Sequence, residues 1–249
     1  MKNKIILYIF LAVFVLAGCE RRLEYESFEE NKLFSTFDLY NLKAYRSIDK
    51  AMENPDEVYK LVLINQGLSK VPSETYNFRY LNTLELTMNE ISTIPAYVGD
   101  MLYLQSLYLT SNNFNEVPDH VYRLKNLKRI RFGGNQFTTI PDELIEMETL
   151  EEIYFCKNQI TRIPPKIYEK EELIVLKLDH NQISHISPRI AMLKNIEVLN
   201  LSSNNISEIP FRELASMKNL ASLNLSKNPV DHAVMDSLRK AMPWAKIDY

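Results

Sequence analysis

The chain has 249 residues, of which 46% are hydrophobic and 24% are charged, so it is long enough for one domain with a large core. Its formal net charge of −3 gives no basic footprint, which argues against nucleic acid as a partner. Only 5 glycines are present, and the chain has no HExxH, CxxC, Walker or EF-hand motif. The sequence therefore predicts neither a cofactor nor a metal site.

The first residues predict a signal peptide. Lys2 and Lys4 precede Ile5–Ala17, an uncharged apolar run of 13 residues. A bilayer core takes about 20 residues, so this run is too short to cross it. The run leads into the sequence LAGC at residues 16–19, which resembles the lipobox of bacterial lipoproteins. That resemblance implies cleavage after residue 18 and acylation of Cys19. A plain signal peptide and a short N-terminal membrane anchor are the alternatives.

Lipidation of Cys19 would make the protein a membrane-anchored bacterial lipoprotein. We expect it at the outer membrane or cell surface rather than the inner membrane, although Glu20 does not decide between them. Cys156 would then be the remaining thiol, so no intrachain disulfide would form.

Residues 19–42 are predicted to be the lipidated cysteine and a tether. The segment is acidic at first, then aromatic, and shows no sustained hydrophobic period. Phe34, Phe37 and Tyr40 leave a second possibility open, in which the segment packs on the open end of the domain that follows. Residues 43–57 predict an N-terminal helical cap, because Ser47 is a good N-cap residue and Pro55 ends the apolar pattern.

Eight copies of one template occupy residues 58–230. Apolar residues fall at offsets 0, 3, 5, 10 and 13 of each copy, Asn at offset 8, and Pro usually at offset 14. The copies begin at Val58, Leu81, Leu104, Leu127, Leu150, Leu173, Ile196 and Leu220, which are 23 residues apart except for one step of 24. Offset 8 holds Gln66, Asn89, Asn112, Asn135, Asn158, Asn181, Asn204 and Asn228. A fixed period of this length predicts a solenoid.

These residues resemble the 23-residue bacterial type of leucine-rich repeat, LxxLxLxxNxLxxIP. The resemblance implies an α/β repeat solenoid, a right-handed arc of about eight coils with a parallel concave sheet and short helical caps. We expect the offset-8 side chains to form a ladder that bonds buried backbone groups of the turns, each of which would cost about 1–3 kcal/mol if unpaired. Lys170 interrupts the apolar pair after the fifth proline, and its stem is expected to point outward.

Residues 231–249 predict the C-terminal cap. Val234, Leu238 and either Ala241 or Met242 have helical spacing, and a last strand around Ile247 would cover the final coil. Trp244 is expected in the core of this cap.

The outward strand positions, at offsets 2, 4 and 6, form the concave surface in this family. Near the centre they hold aromatic and charged side chains, and Tyr and Arg are the types that dominate binding hot spots. We therefore predict that a protein or peptide partner is bound by Glu85, Tyr108, Arg129, Arg131, Glu152, Tyr154, Lys177 and Asp179.

The centre of this predicted site is Arg131, which we expect to lie between the rings of Tyr108 and Tyr154. Gly133 and Gly134 are expected to leave a notch for a ligand backbone. The alternative is that the Tyr–Arg–Tyr stack only stabilises the sheet, by ~0.2–1 kcal/mol per pair.

Cys156 raises a different hypothesis, because Asp179 and His180 lie one strand away and would allow a Cys–His contact. A flat open sheet, however, offers no oxyanion hole and excludes no water. The sequence therefore predicts a binding protein without catalytic residues. A structural, envelope-organising lipoprotein that uses the convex face or the tether is the alternative.

Overall fold

Each repeat contributes one three-residue strand to a continuous parallel sheet. The computed structural model describes residues 32–249. The strands are β1 Lys60–Val62, β2 Thr83–Glu85, β3 Ser106–Tyr108, β4 Arg129–Arg131, β5 Glu152–Tyr154, β6 Val175–Lys177, β7 Val198–Asn200, β8 Ser222–Asn224 and β9 Lys246–Asp248. They follow one another in chain order across one sheet. The predicted α/β solenoid arc with a parallel concave sheet is confirmed.

Residues at the same repeat position are direct neighbours in the sheet. Tyr108 pairs with Arg131, and Arg131 pairs with Tyr154. The register advances by 23 residues until Val198 pairs with Ser222, where it advances by 24. Each outward position of the repeat therefore forms a straight column of side chains across the sheet.

Short helices return the chain to the start of the next strand. The α-helices are α1 Thr36–Asn41, α2 Ile48–Met52, α3 Asp142–Ile145, α4 Phe211–Ser216 and α5 His232–Ala241. The 3-10 helices are Pro55–Glu57, Ser73–Asn77, Ala96–Asp100, Asp119–Arg123, Pro165–Glu169 and Pro188–Met192. The closing proline commonly stands at the N-cap, as Pro118 does with a φ of −61°. Its restricted φ suits the first turn and its missing N–H would have no partner there.

The apolar offsets fill one core between the sheet and the helices. In the third copy, Leu104, Leu107, Leu109 and Phe114 are each 0% exposed. The core extends without interruption from Tyr45 in the N-terminal cap to Ile247 in β9. The solenoid is therefore stabilised by apolar packing between consecutive coils.

The Asn ladder connects each turn to the coil before it. The Asn135 side-chain amide donates to the backbone oxygens of Leu109 at 2.9 Å and Phe132 at 3.0 Å, and its Oδ1 accepts from the Phe114 N–H at 2.9 Å. The residue before each ladder position has a positive φ, which the non-glycine residues there rarely adopt. The ladder bonds thus satisfy buried backbone groups at a turn with an unfavourable conformation.

Gln66 differs from the seven asparagines with which it was grouped. Its side chain is exposed and donates to the backbone oxygen of Arg46 at 3.1 Å, inside the N-terminal cap. Its longer side chain lies in the first coil, where no preceding repeat supplies the buried carbonyl that an asparagine would bind.

The two caps close the ends of the sheet. Ser47 caps α2, and the Tyr45 backbone bridges to Leu61, which continues the sheet beyond β1. At the other end α5 buries Met235 and Leu238, and β9 pairs with β8. The apolar end coils are therefore covered.

Two expectations for individual side chains were wrong. Trp244 is 38% exposed and lies under the Lys218 ammonium, 3.7 Å from the ring centre, so it is outside the cap core. The Lys170 side chain is only 2% exposed, because its ammonium donates inward to the backbone oxygen of Met147 at 2.8 Å. Within residues 32–249, no helix combines the length and the apolar character needed to cross a membrane.

The aromatic end of the predicted tether, residues Lys32–Asn41, packs against the solenoid, and we call it the docking segment. This segment contains α1 and lies against the concave sheet at its strand-start edge, not over the open end of the solenoid. Phe34 is half-buried, whereas Phe37 and Tyr40 are exposed. The signal peptide and Cys19 lie outside the described residues.

Candidate partner-binding surface

The centre of the concave sheet carries the predicted Tyr–Arg–Tyr stack. The guanidinium carbon of Arg131 lies 4.2 Å from the ring centre of Tyr108 and 4.6 Å from that of Tyr154. Both distances are within the range of cation–π attraction. In-register pairing of β3, β4 and β5 holds the three side chains side by side.

Polar contacts fix the orientation of Tyr154. Its hydroxyl donates to Glu152 Oε2 at 2.8 Å, and the ammonium of Lys177 lies 5.2 Å from its ring centre. Burial, followed by the charge of Glu152, raises the pKa of Tyr154 above its ordinary value. The hydroxyl therefore stays protonated and keeps donating to Glu152 over the physiological pH range.

The edge of the surface near the turns is held by Asp179. Its Oδ1 accepts from the side-chain amide of Asn200 at 3.0 Å, and its Oδ2 lies 3.1 Å from Nδ1 of His180. Glu85 is half-buried at the opposite end of the predicted set. The structure thus places Asp179 two residues after the end of β6, and six of the predicted residues on the concave strands: Glu85, Tyr108, Arg131, Glu152, Tyr154 and Lys177.

Arg129 was predicted to contact the partner, but its side chain is not accessible in this structure. Arg129 is 1% exposed, and its Nε donates to Glu152 Oε1 at 2.7 Å. It lies below the docking segment, in a cleft of about 230 Å³ whose other walls include Leu39 and Tyr40. Arg129 therefore serves as a buried support for Glu152.

The docking segment lies next to the first part of the offset-2 column, which is less exposed than the rest. At offset 2, Thr83, Ser106 and Arg129 are 1–3% exposed, whereas Glu152 and Val175 are half-buried at the same position of later coils. The repeat geometry is the same in both places. The less exposed part of the column is the part near the docking segment, since Thr83 and Arg129 line one cleft with Leu39 and Tyr40.

The notch predicted at Gly133 is filled by the next strand. A Cβ at Gly133 would lie 2.6 Å from Sγ of Cys156, closer than a Cβ contact can be. The glycine is thus required by the Cys156 side chain, and it leaves no space for a ligand backbone.

Cys156 is a free, half-buried thiol. Burial and the charge of Asp179 raise its pKa above the ordinary thiol value, which disfavours the nucleophilic thiolate. Within residues 32–249, no three His, Cys, Asp or Glu side chains are grouped so that they could hold a metal ion.

Sequence reasoning missed two residues that bind the docking segment, Asn82 and Gln105. Both stand at offset 1, one position before a strand, and are 0% and 2% exposed. The sequence contained a signal for them, because offset 1 changes from uncharged amides at Asn82 and Gln105 to charged residues in the next two coils, Lys128 and Glu151. A buried amide at this position indicates a backbone partner from outside the repeat.

The fold and the surface together define an α/β repeat solenoid with an open sheet of outward-facing polar and aromatic columns. The sequence model of the leucine rich repeat family matches residues 103–160 and 171–230. The chain is a leucine-rich repeat protein.

Solved structures with similar folds include bacterial and plant proteins. An internalin, InlF, from Listeria monocytogenes has a TM-score of 0.64 and 24% identity, with the match covering 78% of this chain and 55% of that one. The repeat ectodomain of the receptor kinase GASSHO1/SCHENGEN3 from Arabidopsis thaliana, in complex with CASPARIAN STRIP INTEGRITY FACTOR 2, has a TM-score of 0.56 and 29% identity, covering 65% of this chain and 20% of that one.

A third similar structure is the plant peptide hormone receptor RGFR1 in complex with RGF2. Its TM-score is 0.57 and its identity 29%, with 70% of this chain and 29% of that chain covered. This chain thus spans about half of the internalin and less than a third of either plant receptor. A comparison with curated proteins finds no match.

Proposed function

We propose that this protein is a lipoprotein, anchored to a bacterial membrane through Cys19, that binds a protein or peptide partner through its concave sheet and performs no catalysis. The observation that carries the binding proposal is the Tyr108–Arg131–Tyr154 stack. Two aromatic rings and a guanidinium are presented on a rigid sheet, so little conformational entropy is lost when a partner docks.

The surroundings of the stack support this proposal. Glu152 is held from below by Arg129 and in turn orients Tyr154, so the binding residues are positioned before a partner arrives. Two of the similar plant structures are complexes with CASPARIAN STRIP INTEGRITY FACTOR 2 and RGF2, which supports a protein or peptide as the class of ligand. The raised pKa of the Cys156 thiol weighs against a cysteine nucleophile on the same surface.

The binding proposal is tested by affinity capture with the full-length tagged protein, extracted from membranes of the producing cells in mild detergent. The test variant combines Tyr108→Ala, Arg131→Ala and Tyr154→Ala. A control combines Tyr76→Ala and Lys194→Ala, which remove one exposed ring and one exposed ammonium away from the sheet.

Three outcomes separate the functions. A protein retained by the wild type and the control, but lost by the triple variant, would support the concave sheet as the binding site. Equal capture by all three would move the function to the caps, the convex face or the tether, as expected for an envelope-organising protein. Capture by none, with all three proteins folded, would contradict a tightly bound partner.

The anchor is tested separately with Cys19→Ala. We expect wild-type protein in the membrane fraction and its N-terminal peptide to carry acyl chains by mass spectrometry. The variant should lose the acyl mass and leave the membrane fraction. A variant that stays membrane-bound after its leader is removed would contradict the lipid anchor.

A further inference from the structure

The docking segment is bound through its backbone by two buried amides. The Asn82 side-chain amide donates to the backbone oxygen of Lys32 at 2.9 Å. Gln105 makes two bonds to Phe34: the Phe34 N–H donates to Oε1 at 2.9 Å, and Nε2 donates to the Phe34 oxygen at 3.0 Å. A side chain that satisfies both backbone groups of one residue imitates a neighbouring strand. This is how a surface recognises an extended peptide.

Side chains of the segment fit adjacent contacts. The Lys32 ammonium lies 3.1 Å from the Tyr59 hydroxyl and 4.8 Å from the ring centre of Tyr80. Phe34 packs edge-on against Tyr59 with ring centres 5.3 Å apart. Leu39 is 4% exposed and forms part of the cleft above Arg129. The edge therefore selects a cation, an aromatic ring two residues later, and an aliphatic side chain five residues after that.

The segment is bound from one side only. Of its described side chains only Leu39 is buried, and Phe37 is 76% exposed. The helix α1 has six residues, and the Lys60 ammonium donates to its last carbonyls, those of Leu39 at 3.3 Å and Tyr40 at 3.4 Å. So small a buried area permits the segment to dissociate without unfolding the solenoid.

We propose that the strand-start edge, formed by Tyr59, Tyr80, Asn82 and Gln105, is a peptide-binding site that the docking segment occupies as a built-in competitor. Its ligand is a peptide of another chain with the pattern Lys-x-Phe-x-x-x-x-Leu, which is extended around the Phe and helical at the Leu, as the docking segment is. Release of the segment opens both this edge and the offset-2 column that includes Arg129. The proposal goes beyond the function proposed above and does not depend on the lipid anchor. Its site adjoins the stack, because Tyr108 and Arg131 also line the cleft that receives Leu39.

The test uses the full chain and a fluorescent synthetic peptide with the sequence of residues 31–42, NKLFSTFDLYNL. Leu39→Asp places a carboxylate in the buried cleft and should release the segment. We expect this variant to bind the peptide at least tenfold more tightly than the wild type, measured by fluorescence anisotropy. Phe37→Ser is the matched control, since that side chain is exposed, and it should bind as weakly as the wild type.

Recognition is tested by two further changes. Adding Gln105→Ala to the Leu39→Asp chain should reduce its affinity for the peptide at least tenfold. A peptide that carries Leu39→Asp should also bind the Leu39→Asp chain at least tenfold more weakly than the unchanged peptide does. Hydrogen exchange at the Phe34 amide should be slow in the wild type and fast after release. Thermal melts establish that each variant is folded. If Leu39→Asp does not fold, a chain with Lys32→Ser and Phe34→Ser replaces it.

The proposal is overturned if a folded release variant binds the peptide no better than the wild type. It is also overturned if Gln105→Ala leaves binding unchanged, because recognition would then not depend on the amide that binds the backbone. Rapid exchange at Phe34 in the wild type would show that the segment does not occupy the edge.

Discussion

The concave sheet has two halves that share one repeat but differ in what covers them. Over β2 to β4 the docking segment buries the offset-2 column, including Arg129. From β5 onward the same column is partly open, and two valines, Val175 and Val198, are half-buried there. Identical backbone geometry thus gives a closed and an open surface. The repeat determines where side chains point, whereas a segment outside the repeat determines which of them a partner can reach.

The largest effect should be common to both halves. Asn112→Leu in the covered half removes three hydrogen bonds to backbone groups, and Asn181→Leu in the open half removes four, one of them long at 3.4 Å. At about 1–3 kcal/mol for each buried unpaired group, we expect each variant to lose about 3 kcal/mol or more of unfolding free energy, measured by urea denaturation. Unequal losses would show that the segment also supports the core, and an unchanged melting temperature would refute the role of the ladder.

The next effect separates a fully buried guanidinium, that of Arg129, from the half-buried guanidinium of Arg131. Glu152→Ala removes the carboxylate from the buried guanidinium of Arg129, which should cost about 3 kcal/mol of unfolding free energy. Arg131→Ala removes a half-buried guanidinium with two cation–π contacts and should cost about 1 kcal/mol. Chemical denaturation of both variants, with Glu152→Gln as the control of similar shape, measures the difference. A larger loss for Arg131→Ala would contradict the assignment of Arg129 to the covered half.

A smaller effect tests packing where the halves meet. Gly133→Ala would place a Cβ against Sγ of Cys156, and we expect a loss of about 1–2 kcal/mol of unfolding free energy from this overpacking. Cys156→Ala should restore most of that loss in the double variant. A double-mutant cycle by urea denaturation measures the coupling. Additive losses would mean that the strain lies elsewhere.

The smallest effect comes from Lys170, a buried cation away from the sheet. Burial lowers the pKa of its ammonium, so over a range below about pH 10.4 the unfolded chain binds more protons than the folded one. Wild-type stability should therefore rise as the pH increases through that range. Lys170→Met removes the titrating group and should therefore lose this rise.

Thermal melts of the wild type and Lys170→Met at several pH values make that measurement. Another buried cation, Arg129, is present in both proteins and adds no pH dependence of its own, because a guanidinium does not deprotonate in this range. Parallel pH profiles for the wild type and Lys170→Met would contradict the buried position of the ammonium.

The sequence predicted most of the fold because each coil needs only its neighbours. Apolar offsets, the Asn position and the closing proline recur, so one local pattern specifies strand, turn and helix in every copy. The stack of Tyr108, Arg131 and Tyr154 could be predicted for the same reason, since a constant step places equal offsets on adjacent strands.

The predictions that failed concern side chains whose surroundings are not repeated. Gln66 has no earlier repeat to bind, Trp244 lies in the irregular cap, and Gly133 faces the one Cys156. Lys170 was expected to point outward, but its ammonium donates inward to the backbone oxygen of Met147. In each case a single neighbour decided the outcome, and no periodic signal identifies such a neighbour.

By itself, the sequence determined the solenoid, its register and the residues that face the concave side, because these follow from interactions between consecutive coils. Only the tertiary structure decided which half of that surface is open. That decision depends on the contact between Phe34 and Gln105, 71 residues apart, made by a segment without hydrophobic period. A buried amide binds any backbone of suitable geometry, so its partner becomes known only when the chain is folded.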